Sequence, residues 1–132
     1  MTAFRETCLL EPIGVGIDIV DIGVFKKRLD SGMVEELFLP EEIEYCNSRA
    51  RPWESFAARF AAKEAVFKAL GHGLSQGLRW KQVEVLKDES GAVSVELRGR
   101  ALSRADAIKV KCISISISHT RKEAVAVAIA QG

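Results

Sequence analysis

The segment WESFAARFAAKEAVFKALGHG, residues 53–73, decides the fold of this 132-residue chain. Residues of an α-helix advance by about 100° each, so the position of every side chain around the axis can be calculated. One face of such a helix carries the large apolar residues Phe56, Phe60, Phe67 and Leu70, and alanines fill most of the remaining surface. This combination is typical of a helix buried in a protein core. The segment therefore predicts a buried helix on which other elements pack.

Two charged residues of the same helix do not match its apolar character. Glu64 lies beside the phenylalanine stripe, and Lys68 follows one turn later. A buried charge costs free energy unless an opposite charge or hydrogen-bonding groups compensate for it. One interpretation is an i,i+4 ion pair between these two side chains. The other is that both side chains face a ligand.

Two polar residues outside this helix also interrupt apolar patterns. Asp18 lies within IGVGIDIVDI, residues 13–22, whose β-branched side chains predict a buried strand. His119 follows the alternating segment CISISIS, residues 112–118, which predicts a half-buried strand. Considered separately, Asp18 is equally well interpreted as a cap for the next element. His119 is equally well interpreted as a hydrogen-bonded residue at the end of a strand.

The other segments predict short helices and a hairpin around these elements. In chain order they are a helix ending at Gly32, a helix beginning after Pro40, a β-hairpin of residues 83–87 and 93–97, a helix over 98–109 and a strand over 124–130. Gly14 and Gly16 in the first strand suggest close approach of another backbone. Arg49 and Arg51 form a small basic group that either faces an anionic ligand or is solvated.

Composition excludes several classes of protein. The 19 Lys and Arg residues nearly balance the 18 Asp and Glu residues, so the net charge of +1 provides no overall attraction to nucleic acid or an anionic membrane. Three widely separated cysteines lack the spacing of a zinc site or a disulfide framework. No segment resembles a signal peptide or a membrane span. We expect a cytoplasmic protein with an N-terminal extension, residues 1–12, and a single domain, residues 13–132.

The charged residues together suggest chemistry that none of them suggests alone. Asp18 and Glu64 supply carboxylates from two different elements. Mg²⁺ prefers oxygen ligands and completes its octahedral shell with waters and substrate phosphates. Lys68 and Arg59 would provide positive charge for those phosphates.

Three motifs make the chain resemble the 4′-phosphopantetheinyl transferases, and within them the short holo-acyl-carrier-protein synthases. They are GVGIDIVDI at 14–22, FAARFAAKEAVFKALGHG at 56–73 and SISHT at 116–120. The resemblance implies an α+β fold in which an antiparallel sheet packs on a long central helix. It also implies a homotrimer with active sites shared between neighbouring subunits. The implied reaction is the Mg²⁺-dependent transfer of the 4′-phosphopantetheine arm of coenzyme A to a serine of an apo acyl carrier protein, with release of 3′,5′-ADP.

The resemblance implies a role for each matched residue. Asp18 and Glu64 would bind Mg²⁺, Lys68 would lie near the coenzyme A phosphates, and these three would be the catalytic residues. His119 would lie at the nucleotide site. The coenzyme pocket would also include Arg59, Phe60, Gly71, Leu74, Ser118 and Thr120. Glu64, directly or through a water, is the predicted base for the serine proton, in preference to His119.

Two positions depart from the family pattern. A basic residue that meets the acidic carrier is usual six positions after Asp18, where this chain has Val24. Lys26, Lys27 and Arg28 follow closely and would form a local basic patch for an acidic carrier helix. Residues 91–93, Gly-Ala-Val, stand where a proline is common near the nucleotide.

An alternative function is a catalytically inactive homologue that binds coenzyme A or a nucleotide as an assembly module. It would bind the coenzyme without transferring the arm. Val24 is the feature that favours this alternative. The presence of Asp18, Glu64 and Lys68 together favours the enzyme.

Overall fold

The computed structural model describes residues 9–132 of the chain. The first eight residues of the predicted N-terminal extension lie outside the described residues. In chain order the elements are β1 (Pro12–Asp21), α1 (Ile22–Arg28), α2 (Ser31–Leu37), α3 (Pro40–Asn47), α4 (Pro52–Leu70), β2 (Val83–Lys87), β3 (Val93–Leu97), α5 (Gly99–Ala107), β4 (Cys112–His119) and β5 (Glu123–Gln131). Two short 3₁₀ turns, Leu74–Gln76 and Trp80–Gln82, connect α4 to β2.

The strands form two antiparallel sheets, which confirms the predicted α+β class. The larger sheet has the order β1-β5-β4, and the hairpin β2-β3 forms the smaller one. In the larger sheet Asp18 lies opposite Ala126 of β5, and Ala126 lies opposite Ile117 of β4. His119 lies opposite Ala124 on the other side of β5. Asp18 and His119 therefore lie on the two outer strands of the sheet with one strand between them.

Helix α4 packs closely against strand β1 of the larger sheet. A Cβ atom placed on Gly14 would overlap the carbonyl oxygen of Ala69, and one placed on Gly16 would overlap that of Ala65. Only glycine leaves room for two backbones at this separation. The close approach suggested by the glycines of the first strand is therefore confirmed.

Helix α4 begins and ends with residues suited to those positions. Pro52 occupies the first turn, where its missing N–H removes no intrahelical hydrogen bond. Gly71 follows the last turn in the left-handed conformation, with φ of 72°. Of the 19 residues of the helix, Pro52–Leu70, 13 are buried. This burial matches the helix predicted from the apolar and alanine-rich pattern.

The two faces of the larger sheet differ in their exposure. On the face that meets α4, strand β5 presents the fully buried alanines Ala124, Ala126, Ala128 and Ala130. On the opposite face, strand β1 presents Val15, Ile17 and Ile19, which are 61%, 56% and 63% exposed. Their partners on β5 are half-buried aliphatic residues, Ile129, Val127 and Val125. We call this surface the outer sheet face.

A buried ion pair connects α4 to α3 and to the hairpin. Lys63 Nζ lies 2.8 Å from Glu42 Oε1, and both side chains are almost completely buried. Lys63 also donates to the carbonyl oxygens of Trp80 and Val83. Burial lowers the pKa of Lys63, and Glu42 opposes that change. Glu42 also accepts a hydrogen bond from Val85 N at 3.0 Å, so this one carboxylate fixes three elements relative to one another.

The predicted helix end at Gly32 is wrong. Helix α1 ends at Arg28, and Gly32 lies inside α2. The Asp30 side chain accepts a hydrogen bond from Met33 N at 2.9 Å, and this cap begins a second helix. The other predicted helices and strands are present within one or two residues of their expected bounds, apart from the 53–73 segment, whose helix stops at Leu70. No helix among residues 9–132 is long and apolar enough to cross a membrane.

Candidate active site

Two of the carboxylates singled out in the sequence line one cavity. Strand β1 contributes Asp18 and helix α4 contributes Glu64 to a cavity of about 370 Å³. Much of the remaining wall is apolar and is formed by Val20, Phe25, Leu29, Leu37, Phe60 and Trp80. Val24, Arg28 and Met33 line it as well. We call this space the carboxylate cavity.

Lys68 joins the two elements that carry these carboxylates. Its Nζ lies 3.1 Å from Asp18 Oδ1 and donates to the carbonyl oxygen of Ile17 at 2.9 Å. The Asp18 side chain is 18% exposed, whereas that of Lys68 is 53% exposed. Glu64 and Lys68 do not form the i,i+4 ion pair that their spacing in the helix allows. Lys68 instead neutralises a carboxylate that lies 50 residues away in the chain.

Glu64 accepts a hydrogen bond from a residue that sequence reasoning missed. Trp80 Nε1 donates to Glu64 Oε1 at 2.9 Å. The two residues are 16 positions apart, and an irregular connection separates them. No local periodicity in the sequence reports a contact of this kind. Trp80 was therefore not among the predicted site residues.

A second cavity adjoins the C-terminal end of α4. It has a volume of about 560 Å³ and is lined by Glu64, Lys68, Gly71 and Leu74, among others. We call it the helix-end cavity. Glu64 lines both this cavity and the carboxylate cavity. The helix ends at Gly71, which has the left-handed conformation, and the Arg104 side chain lies against this end, where its Nε donates to the Leu70 carbonyl oxygen at 2.8 Å.

A third cavity lies between α4, the hairpin and the end of β4. It has a volume of about 380 Å³ and includes Arg49, Arg51, Arg59, Lys87 and His119 in its lining. We call it the arginine cavity. Gly91 and Val93 also line it, so the segment that departs from the family pattern forms part of this wall. The basic group of Arg49 and Arg51 faces a concave space rather than a flat surface.

Arg59 is the most informative residue of the arginine cavity. It is only 7% exposed, and its guanidinium lies over the Tyr45 ring at 4.1 Å. Its Nε has no hydrogen-bond partner among the described residues. A buried guanidinium N–H without an acceptor is costly, and an anionic ligand would supply the acceptor. The cavity therefore has the charge and the donors required for a phosphate-bearing group.

The predicted site residues do not all line the same cavity. Asp18, Phe60, Glu64, Lys68, Gly71 and Leu74 lie in the carboxylate and helix-end cavities. Arg59 and His119 lie in the arginine cavity. Ser118 and Thr120 line none of these three cavities. Thr120 instead accepts hydrogen bonds from Lys122 N and Glu123 N within the turn between β4 and β5.

The donor set fits Mg²⁺ bound together with a phosphate substrate. Within residues 9–132, no group of three or more His, Cys, Asp or Glu side chains has the arrangement of a metal site. The carboxylates of Asp18 and Glu64 in one cavity, with Lys68 beside Asp18, match an ion that takes most of its ligands from phosphate oxygens and water. Asp18 and Glu64 are the residues that would hold it.

Comparison with known proteins identifies the family. A sequence model of the 4′-phosphopantetheinyl transferase superfamily matches residues 14–130. The chain belongs to this superfamily. It is 44% identical over 119 residues to a holo-[acyl-carrier-protein] synthase of Geobacter sulfurreducens, a match that covers 88% of this chain and 94% of the relative. A synthase of the same name from Syntrophus aciditrophicus is 42% identical, with 90% and 95% of the two chains covered.

Solved structures of the superfamily have the same fold as this chain. The holo-[acyl-carrier-protein] synthase of Neisseria meningitidis superposes with a TM-score of 0.81 at 27% identity, covering 92% of this chain and 100% of the other. The Helicobacter pylori synthase in complex with coenzyme A superposes with a TM-score of 0.76 at 31% identity, covering 88% and 98%. The phosphopantetheinyl transferase fold expected from the motifs is thus confirmed.

Proposed function

We propose that this protein is a holo-[acyl-carrier-protein] synthase that transfers the 4′-phosphopantetheine arm of coenzyme A to a serine of an apo acyl carrier protein. The observation that carries the proposal is the convergence of Asp18, Glu64 and Lys68 at adjoining cavities in a chain of this superfamily. Curated relatives that match nearly the whole chain are named for this activity. Related structures contain coenzyme A or 3′,5′-ADP.

In the proposed reaction, a serine oxygen of the carrier forms a bond to the phosphorus that bears the pantetheine arm. The pyrophosphate P–O bond breaks, and 3′,5′-ADP leaves with the electron pair. Glu64 accepts the serine proton, directly or through a water. Lys68 provides a fixed positive charge beside the phosphates. Mg²⁺, held by Asp18 and Glu64, would neutralise the charge that develops on the pyrophosphate.

We assign the nucleotide end of coenzyme A to the arginine cavity. Arg59 offers a buried N–H without an acceptor among the described residues, and Arg49, Arg51 and Lys87 add positive charge around it. His119 lies in the same lining, which agrees with its expected place at the nucleotide site. The pantetheine arm is largely uncharged and suits the apolar wall of the carboxylate cavity.

We further propose that the active protein is a homotrimer with sites shared between subunits. The outer sheet face exposes three large aliphatic side chains of β1 next to half-buried aliphatic residues of β5. A contiguous apolar surface of this kind favours association with another protein surface. Within one chain, moreover, the arginine cavity and the carboxylate cavity have separate linings. A neighbouring copy that presents its own arginine cavity would complete the site.

The acyl carrier protein is proposed to bind beside α1. Lys26, Lys27 and Arg28 form the last turn of this helix and are exposed. Arg28 also lines the carboxylate cavity, so this basic patch is continuous with the site. An acidic carrier helix would complement the patch even though the net charge of the chain is close to zero. The carrier substrate and the free cysteines Cys46 and Cys112 favour the cytoplasm as the location.

Intact-mass spectrometry tests the proposal directly. The purified protein is incubated with coenzyme A, Mg²⁺ and apo carriers of both fatty-acid and polyketide type. Transfer of the arm adds about 340 Da to the carrier. A carrier with the acceptor serine replaced by alanine is the matched control and gains no mass. Coenzyme A binding without a mass gain on any carrier would instead identify the protein as a binding module.

A further inference from the structure

Trp80 contacts helix α4 through both its backbone and its side chain. Its carbonyl oxygen accepts a hydrogen bond from Lys63 Nζ at 3.1 Å. Its indole Nε1 donates to Glu64 Oε1 at 2.9 Å. Two adjacent residues of the helix therefore hold opposite ends of the same tryptophan. The indole also lies against the Phe60 ring, with centroids 6.1 Å apart.

Trp80 is held in place by buried groups. Lys63 is completely buried and is itself held by Glu42 at 2.8 Å. The 3₁₀ turn that begins at Trp80 leads directly into β2, whose Val83 carbonyl also accepts from Lys63. The turn is thus fixed to the interior, and the indole N–H has a defined position relative to α4.

The carboxylates of Asp18 and Glu64 are held in different ways. Asp18 has a short side chain and an ion pair with Lys68. Glu64 has one more rotatable bond, and the side-chain hydrogen bond from Trp80 fixes one of its oxygens. An indole N–H is a donor only, so it neither ligates a metal ion nor ionises near neutral pH. It orients the carboxylate without competing for the ion.

We propose that Trp80 is a positioning residue of the metal site, whose indole N–H fixes the Glu64 carboxylate in the orientation that binds Mg²⁺. This inference rests on the proposed function, because it assigns Glu64 to the metal. Partners that orient a metal ligand typically contribute 10–100-fold to metal affinity or activity. Loss of the indole donor is therefore expected to raise the metal concentration that the protein requires, with a much smaller effect on turnover at saturating metal.

The test removes the donor while retaining the ring. Trp80 is replaced by 3-benzothienylalanine, in which sulfur substitutes for the N–H, and in parallel by phenylalanine as Trp80→Phe. The matched control is Trp53→Phe, because Trp53 packs against the rings of Phe25 and Phe56 and does not line the carboxylate cavity. Mn²⁺ serves as a spectroscopic probe, and its binding in the presence of coenzyme A is measured by electron paramagnetic resonance. The Mg²⁺ concentration for half-maximal transfer is measured in parallel.

We expect both Trp80 variants to bind Mn²⁺ about 10–100-fold more weakly than the unmodified protein and to need correspondingly more Mg²⁺. Trp53→Phe should leave both quantities unchanged. A purely structural role of Trp80 would lower the melting temperature without changing the metal requirement of the folded protein. Unchanged Mn²⁺ affinity in the benzothienylalanine protein would overturn the proposal. Failure of the proposed function has a different result, namely no transfer and no Mn²⁺ binding by the unmodified chain, and would overturn both.

Discussion

Lys68 Nζ lies 3.1 Å from Asp18 Oδ1, so an ion pair joins the last turns of α4 to β1 across the candidate site. The lysine side chain is about half exposed, and exposed ion pairs contribute at most about 1 kcal/mol to stability. A cation placed beside transferring phosphates, in contrast, stabilises the transition state by several kcal/mol. Lys68 is therefore expected to matter for catalysis far more than for folding.

The first prediction is that replacing Lys68 reduces the transfer rate much more than it reduces the stability of the fold. Lys68→Met should reduce the rate of arm transfer by at least about 100-fold, because the fixed positive charge is lost. The free energy of unfolding in urea should fall by about 1 kcal/mol or less. Lys111→Met, which removes an exposed lysine just before β4, is the matched control. A large loss of stability with little loss of transfer would contradict the catalytic role.

The second prediction compares the proposed metal ligands, Asp18 and Glu64, with a neighbouring carboxylate. Asp18→Asn and Glu64→Gln should each lower the transfer rate by about 100- to 1000-fold. Asp21 lines the same cavity, but its side chain caps α1 by accepting from Val24 N at 2.9 Å. Asparagine retains that cap, so Asp21→Asn should keep most of the activity. The rates are measured by carrier mass gain, and near-normal turnover of Glu64→Gln at saturating Mg²⁺ would exclude Glu64 as the base.

The third prediction tests the arginine cavity. Arg59→Met removes a buried guanidinium whose Nε has no acceptor among the described residues, so binding of 3′,5′-ADP should weaken by about 2 kcal/mol, roughly 30-fold. Isothermal titration calorimetry measures this affinity. Arg100→Met on the exposed side of α5 is the control for general loss of positive charge. Equal affinities in the two variants would place the nucleotide elsewhere.

The fourth prediction concerns assembly. Ile17 is 56% exposed at the centre of the outer sheet face. Ile17→Glu places a charge on that apolar surface, and burying it in an interface would be strongly unfavourable. We expect the unmodified protein to be a trimer by light scattering and Ile17→Glu to be monomeric. Leu102→Glu on α5, where the leucine is 45% exposed, should leave the assembly intact. A monomeric unmodified protein with full activity would contradict the shared site.

The fifth prediction uses two glycines with different surroundings. A Cβ on Gly16 would overlap the carbonyl oxygen of Ala65, whereas a Cβ on Gly73 would meet no atom within 4 Å. Gly16→Ala should therefore destabilise the protein by about 1–3 kcal/mol or more, because two backbones must separate. Gly73→Ala should change the unfolding free energy much less. Urea denaturation monitored by circular dichroism compares the two variants.

The sequence predicted the elements whose patterns are local. Helix α4 has its apolar stripe and its glycine end, and β4 has strict alternation, so both were predicted close to their observed positions. The boundary at Gly32 was wrong because a glycine favours a helix end only when no stronger cap competes. Here the Asp30 side chain caps the N-terminus of α2, so Gly32 lies inside that helix.

The candidate site was predicted in part. Asp18 and Glu64 were recognisable because a charge in an apolar pattern is costly, and the two residues line one cavity. Trp80 was missed because an aromatic residue in an irregular connection has no periodicity that distinguishes a hydrogen-bond donor from a core residue. Outside the site, the burial of Glu42 was not predicted, because glutamates in the first turn of a helix are usually exposed.

By itself the sequence determined that the carboxylates of Asp18 and Glu64 need partners, because each interrupts an apolar segment. It also determined, through the glycines of β1, where another backbone can approach this strand. Only the tertiary structure decided which partners they have. Lys68 pairs with Asp18 rather than with Glu64, and Glu64 accepts from Trp80. The physical reason is that helix and strand periodicities report neighbours a few residues apart, whereas these contacts join residues separated by 50 and 16 positions. Such contacts form only when α4 packs on the sheet and the turn at Trp80 is fixed by the buried Lys63.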